Sequence, residues 1–297
     1  MINTKFYKEE LINSLRTGRH PADNVVLKDN TNTSGTTDYP VDNALLNKNN
    51  LFRNIAKIIT LVKYDGDIRV GTSDSIATFI DERAEFSSEE PIFNPQKYTA
   101  YKVGKIIKVK EDILSDNAEL FESYLDEETA KSIGKAEEKA VINGLGNNIE
   151  PKGLLKLDLG GVTASALTYD SIVDLYFSLD KDYRSNACFV MNDTTAMAIR
   201  KMVDSNGNPI WNQANDTIFG KKVYISNYMP DDKPILFGDF SYLWIIYREG
   251  IKVRRLGELF IDQCYIAFVV SERLDFKLTQ ANAVKVLSIQ EVETSQE

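Results

Sequence analysis

Residues 143–155 read NGLGNNIEPKGLL, and they follow a long helical pattern that must end there. Gly144 and Gly146 can take the left-handed backbone that closes a helix, and Pro151 has no N–H with which to continue one. Working back from this stop, Phe121, Leu125, Thr129, Ile133, Ala136 and Ala140 recur at three- and four-residue steps and make one apolar stripe. Glu119 and Glu122 sit in the first turns and Lys135 and Lys139 nearer the end, which suits the helix dipole. The spacing predicts a helix from about Ala118 to the glycines.

Upstream, residues 98–109 alternate as a strand, with Tyr101, Val103, Lys105, Ile107 and Val109 on one side. Residues 76–80 are its expected partner. Between them lies the charged stretch DERAEFSSEEPIFNPQK, residues 81–97, expected to be structureless. A globular domain seldom carries so long a loop without a use for it. Residues 58–62 and 68–71 flank Asp65-Gly66, which predicts a hairpin turn. Residues 19–50 are polar and turn-rich with too little apolar surface to fold alone, so they form an arm laid over something else or stay disordered. Residues 5–16 read as a short amphipathic helix, with Thr4 as N-cap and Phe6, Leu11, Ile12 and Leu15 on the apolar side.

Downstream, the pattern becomes that of a small α/β unit. Thr168 caps a helix over residues 169–182, residues 187–191 form a buried strand, and Asn192-Asp193 opens a helix to about Val203. DSNGNP, residues 204–209, is a turn. Strands are expected at 222–226, 235–237, 243–247, 251–255, 259–273 and 283–289. Asp239, after the apolar run PILF, is expected to cap its own turn.

With 44 acidic and 35 basic residues the formal charge is −9, which disfavours tight binding to a phosphate backbone. The hydrophobic share of 43% is enough for a packed core, and no run of 18 apolar residues exists to span a membrane. The opening MINTKFYKEEL lacks the apolar core of a signal peptide. Cys188 and Cys264 stand in apolar surroundings and are expected as buried free thiols.

Catalytic chemistry has little to work with. The single histidine, His20, lies in the polar arm, so neither a Ser-His-Asp nor a Cys-His arrangement is expected. There is no CxxC, HExxH or P-loop, and GLGNN lacks the lysine and the following Ser or Thr of a phosphate loop. The expectation is no catalytic residue, no metal and no cofactor. A small α/β enzyme using the acidic groups is the rival from another class.

The order of pieces resembles the tailed-phage major capsid proteins of the HK97-like fold, from about Asn24 to Ile289. KEDILSDNAELFESYL (residues 110–125) and EEKAVINGLGNNIEPKGLL (137–155) look like that family's entry to, and exit from, its spine helix. FVMNDTTAMAIRKMVDSNGNPIW (189–211), IFGKKVYISNYMP (218–230) and ILFGDFSYLWII (235–246) resemble its A-domain. The resemblance implies an α+β fold in these parts: residues 1–50 an N-terminal helix and extended N-arm, 51–75 P-domain strands, and 76–110 an E-loop hairpin. Residues 111–166 would be P-domain with the spine helix, 167–248 the A-domain, and 249–297 P-domain return strands with a polar tail.

It further implies a structural, non-enzymatic virion protein. Copies of it would assemble as pentamers and hexamers into an icosahedral shell around double-stranded DNA, without sequence-specific contacts or a membrane, in the host cytoplasm. Scaffolding, portal and decoration proteins are possible partners. An encapsulin-type compartment shell shares the fold and is the alternative; the long arm favours the phage reading. The hairpin tip carries Asp81, Glu82, Glu85, Glu89 and Glu90 against Arg83 alone. These acids, or Glu111-Asp112, are expected to meet Lys252, Arg254 and Arg255 of a neighbouring subunit. The Lys–Asn cross-link of the family's type member is not expected: Pro95, Cys264 and Ser271 occupy the corresponding places, and although a shifted register would bring Lys97 to the first, the glutamate and asparagine are missing.

Overall fold

The computed structural model describes residues 12, 15, 16, 43–72, 79, 92–116, 118–204 and 207–290. Of the expected first helix, Ile12, Leu15 and Arg16 are helical, with Ile12 and Leu15 buried; its remainder, most of the arm and all of the 76–80 strand except Phe79, which is exposed and not in a strand, lie outside the described residues. Then follow α1 (Asn43–Asn49), α2 (Phe52–Ile55), β1 (Lys57–Thr60), β2 (Asp65–Thr72), β3 (Ile92–Thr99), β4 (Tyr101–Lys110), α3 (Glu111–Asp116) and α4 (Ala118–Asn143). After these come β5 (Gly161–Ala164), α5 (Tyr169–Ser178), α6 (Lys181–Arg184), β6 (Cys188–Met191), α7 (Asp193–Arg200), β7 (Trp211–Asn212), β8 (Thr217–Ile218) and β9 (Lys221–Ile225). The chain closes with β10 (Ile235–Gly238), β11 (Leu243–Leu256), β12 (Tyr265–Leu278) and β13 (Val284–Ile289).

The α4 stripe does what its spacing predicts. Phe121, Leu125 and Thr129 are fully buried and Ile133 nearly so, packed on one face of a four-stranded sheet ordered β1-β11-β12-β4. Phe121 meets Phe268 at 5.1 Å between ring centroids, with Ile107, Val109, Val253 and Val270 around them. Full burial of each such side chain contributes about 1.5–3 kcal/mol, which makes this contact the spine of the first lobe.

The glycines after α4 divide the work. Only Gly146 is left-handed, at φ +70°; Gly144 instead lets two backbones touch, since a Cβ there would run into the Pro151 carbonyl oxygen. The Gly144 N–H donates to Ala140 O at 2.8 Å and closes the helix, and the Gly153 N–H returns to Gly144 O at 2.9 Å. A small hairpin results, bridged at Leu145 and Lys152 and braced by Asn147 Oδ1, which accepts from the N–H groups of Ile149 and Glu150.

Two expectations about strands need correcting. Asp65 and Gly66 lie inside β2, opposite Thr99 and Tyr98, and are not a hairpin turn. β1 pairs in parallel with β11, Lys57 against Trp244 through Thr60 against Tyr247, so long-range pairing with an apolar run overrides the local turn signal. The expected 98–109 strand breaks at Ala100. β3 joins β2 in a separate two-stranded ribbon, and β4 joins β12. Within the stretch expected to be structureless, Ile92 to Lys97 belongs to β3.

The second lobe is a seven-stranded sheet ordered β5-β13-β10-β6-β9-β8-β7, with α5, α6 and α7 against it. Its helices start where the sequence places them. Thr168 and Ser171 exchange capping bonds ahead of α5, and Asn192 Oδ1 accepts from the Thr195 N–H at 2.8 Å ahead of α7. α5 stops at Ser178 and Asp180 caps a fresh turn, where one helix to residue 182 was expected. β13, grouped by sequence with the return strands, lies instead between β5 and β10. The reason is that β10 is buried along its length and needs a partner on both edges. The expected strands at 243–247 and 251–255 are one strand, β11, with register shifts beside Glu249.

Candidate assembly surfaces

Antiparallel pairing puts opposed residues on the same face of a sheet, so the register of β11, β12 and β4 fixes what the four-stranded sheet shows to solvent. Lys252 lies across from Ser271 and Gly104, Arg254 from Val269 and Ile106, Leu256 from Ala267 and Lys108, and Tyr265 from Lys110. That face, opposite α4, therefore gathers Lys252, Arg254, Lys108 and Lys110. Arg254, Lys108 and Lys110 are exposed, as are Ile106 at 45% and Leu256 at 38%. The Lys108 ammonium caps the Phe260 ring at 3.6 Å from its centroid.

The expected Lys252–Arg255 cluster is divided by the same pleat. Arg255 pairs with Phe268 and Ile107 and points to the α4 face, where its Nε is buried without a hydrogen-bond partner among the described residues. Lys108 and Lys110 take its place on the outer face. Sequence reasoning missed them, although the period of two that aligned Val103, Ile107 and Val109 assigns Lys108 and Lys110 to the other side.

Glu111 and Asp112 begin α3 at the same end of the sheet, and the Glu111 N–H donates to Cys264 O at 3.2 Å. Asp81, Glu82, Glu85, Glu89 and Glu90 lie outside the described residues. What is described is the ribbon that leads to them. Its root is fastened by Asp275, fully buried, whose Oδ2 accepts from the Thr99 N–H at 2.9 Å and whose Oδ1 accepts from the Phe276 N–H at 2.7 Å. Burial pushes the Asp275 carboxyl above the usual range, while Lys277 and the two N–H groups pull it down. Arg248 and Arg273 flank the Tyr64 ring at 5.4 and 5.3 Å from its centroid, at the turn into β2.

The tip of the β11–β12 hairpin is a second surface. Phe260 and Cys264 both take left-handed backbone, at φ 70° and 57°, bracketing a 3-10 turn with Ile261 72% exposed. Cys264 is exposed there, contrary to expectation; the turn rather than a strand carries it. Cys188 is buried as expected, and burial first, then Asp239, pushes its thiol up to about 12, which leaves almost no thiolate for nucleophilic chemistry. Among the described residues no group of three or more His, Cys, Asp or Glu is placed to hold a metal, and no helix is long and apolar enough to cross a membrane.

A family model described as the phage capsid family matches residues 43–289. The chain belongs to the phage capsid family. This capsid shell protein has the HK97-like fold, as its structural relatives make plain. The capsid of an empty GTA particle aligns at 27% identity over 88% of this chain and 95% of that one, with a TM-score of 0.66. A Microbacterium phage Oxtober96 chain aligns at 14% identity over 91% and 99%, TM-score 0.62, and the virus-like particle from Pyrococcus furiosus at 13% over 82% and 95%, TM-score 0.57. The last two likenesses concern the fold alone. No curated protein matches the chain. Family and relatives are structural proteins of capsids, which supports a non-enzymatic role in the virion.

Proposed function

We propose that this protein self-assembles as pentamers and hexamers into the icosahedral head of a tailed phage, enclosing double-stranded DNA. The observation that carries the reading is the exposed basic face of the four-stranded sheet, in a chain whose own β2–β3 ribbon leads to residues 81–90, with five acids and a single base. In this reading the β2–β3 ribbon with the residues between its strands is the E-loop and α4 is the spine of the P-domain; residues 167–248, expected as the A-domain, supply most of the lobe at capsomer centres, with β13 joining it and residues 243–248 belonging to the four-stranded sheet. The acidic E-loop tip of one subunit lies across Lys108, Lys110, Lys252 and Arg254 of the next. Single exposed pairs contribute little, about 0.2–1 kcal/mol each, but a network of them fixes register between copies. The net charge of −9 leaves DNA confined and neutralised by counterions instead of bound base by base. Assembly takes place in the host cytoplasm, with scaffolding, portal and decoration proteins as further partners.

The GTA relative is the capsid of an assembled particle, which supports self-association of this chain into a shell. The fold likeness to the Pyrococcus furiosus virus-like particle favours the encapsulin-type reading as the second choice. Electron microscopy of particles made by the expressed chain, with its scaffold if one is required, tests the first reading: closed shells with fivefold and sixfold capsomers are expected. A monomer or dimer that persists with scaffold present contradicts it, and particles from infected cells without nuclease-protected DNA favour the compartment reading. With Pro95, Cys264 and Ser271 at the corresponding places, no isopeptide link forms between subunits. Boiled shells should then run as monomer on an SDS gel, and a ladder would contradict this.

A further inference from the structure

The most concentrated buried charge in the described residues lies where α2, α4, β11 and β12 cross. Arg53 on α2 forks onto Glu137 of α4, with Nη2 2.7 Å from Oε1 and Nε 2.8 Å from Oε2. Asn50 Nδ2 donates to the same Glu137 Oε2 at 2.8 Å, and the Tyr247 hydroxyl of β11 stands 3.4 Å from both oxygens. Arg53, Asn50 and Tyr247 thus all converge on Glu137. Glu272 of β12 lies against the same two side chains, Glu137 and Arg53; its Oε2 is 3.5 Å from Arg53 Nη2 and has no hydrogen-bond partner among the described residues. The side chains are 6% exposed for Arg53, 2% for Glu137 and 5% for Glu272. Across the strand pair, β4 presents apolar Val103 to Glu272, so among the described residues Arg53, Glu137 and Tyr247 are the titratable groups that face it.

One guanidinium cannot neutralise two carboxylates. With Glu272 neutral the cluster balances; with Glu272 ionised it holds a net negative charge away from water, which is costly. We propose that Arg53, Glu137 and Glu272 form a proton-dependent clasp, fastening residues 50–55 to α4 and β12 while Glu272 is neutral and loosening when Glu272 ionises. Burial first, then the adjacent Glu137, holds the Glu272 carboxyl well above its ordinary range, with Arg53 opposing. Burial alone would lower Arg53, but the hydrogen bonds and charge of Glu137 outweigh it and hold the guanidinium charged. The clasp is the polar part of the attachment of residues 50–55, beside the buried Phe52, and Glu138 next door adds to it by accepting from the Leu51 N–H at 3.1 Å and from Ser226 Oγ at 2.6 Å.

The sign follows from the proton. Glu272 is neutral in the closed state and has its ordinary carboxylate range once opened to water, so opening releases one proton to solvent. Closure is therefore strongest below that ordinary range and is lost as pH rises through the elevated closed-state value, by up to about tenfold in the opening constant per pH unit. Hydrogen exchange on the full chain between about pH 6 and pH 9, corrected for intrinsic rates, reads this opening at the amides of Leu51, Phe52 and Ala56. The opening constant should rise at least tenfold there and stay flat at Thr195 and Ala196 of α7. Glu272→Gln, which keeps the shape and removes the proton, should flatten the profile. A pH-independent opening constant in the unmodified chain overturns the proposal whatever the variant does, and so does a Glu272→Gln profile as steep as the unmodified one.

Discussion

The seven-stranded lobe and the outer face of the four-stranded sheet use their polar residues in opposite ways. In the former, Thr168 with Ser171, Asn192 with Thr195 and Asp239 with Ser241 satisfy backbone groups within three residues of themselves. In the latter, Lys108, Lys110 and Arg254 stand exposed around Ile106 and Leu256. A lobe whose polar groups are satisfied locally holds its shape as a monomer. A charged face with apolar residues set into it is arranged for another molecule.

The contrast can be broken by substitutions, taken from the largest effect on the isolated subunit to the smallest. Phe237, fully buried and stacked 4.3 Å from Phe189, should cost about 3–5 kcal/mol when replaced by Ala, seen as a large drop in the thermal midpoint of unassembled protein. Asp275→Ala leaves the Thr99 and Phe276 N–H groups without their acceptor and should cost about 1–3 kcal/mol, with faster hydrogen exchange at Thr99 marking a loosened ribbon root. Asn192→Ala removes the α7 cap and its bond to Asp231 at 2.8 Å, for about 0.5–2 kcal/mol by denaturant titration. The double variant Lys108→Glu with Arg254→Glu should change subunit stability by no more than about 1 kcal/mol, the lost Lys108–Phe260 contact included, yet abolish shells in light scattering. If that variant unfolds the subunit, or assembles normally, the two regions do not differ as described.

How legible each part was follows from the same contrast. The caps at Thr168 and Asn192, the α4 stripe and the β4 alternation are local, and the sequence carries them at fixed spacings. β1 pairs with a strand some 187 positions away, Lys57 against Trp244, and no local pattern announces that. The Asp65-Gly66 turn signal was real chemistry that lost to it. β13 entered the second sheet for a similar reason: the edge of β10 needed covering, and only the fold brings them together. Glu137 and Glu272 were not singled out, although Glu137 falls four residues after Ile133, on the buried stripe of α4. Helical arithmetic could have marked it as buried. Its partner Arg53, 84 residues earlier, could not have been read from spacing. The basic face was half legible, because Arg254 and Arg255 stood out as neighbours in sequence and the pleat sends them to opposite sides.

The central claim is that the acidic ribbon tip of one subunit lies on the basic sheet face of another. Shells assembled from a mixture of light and nitrogen-15 subunits, coupled with a zero-length carbodiimide and read by mass spectrometry, test it directly. The account predicts mixed-isotope links from Asp81, Glu82, Glu85, Glu89 or Glu90 to Lys108, Lys110 or Lys252. Links from those lysines only to acids of their own subunit, or only to acids elsewhere in the chain, would contradict it.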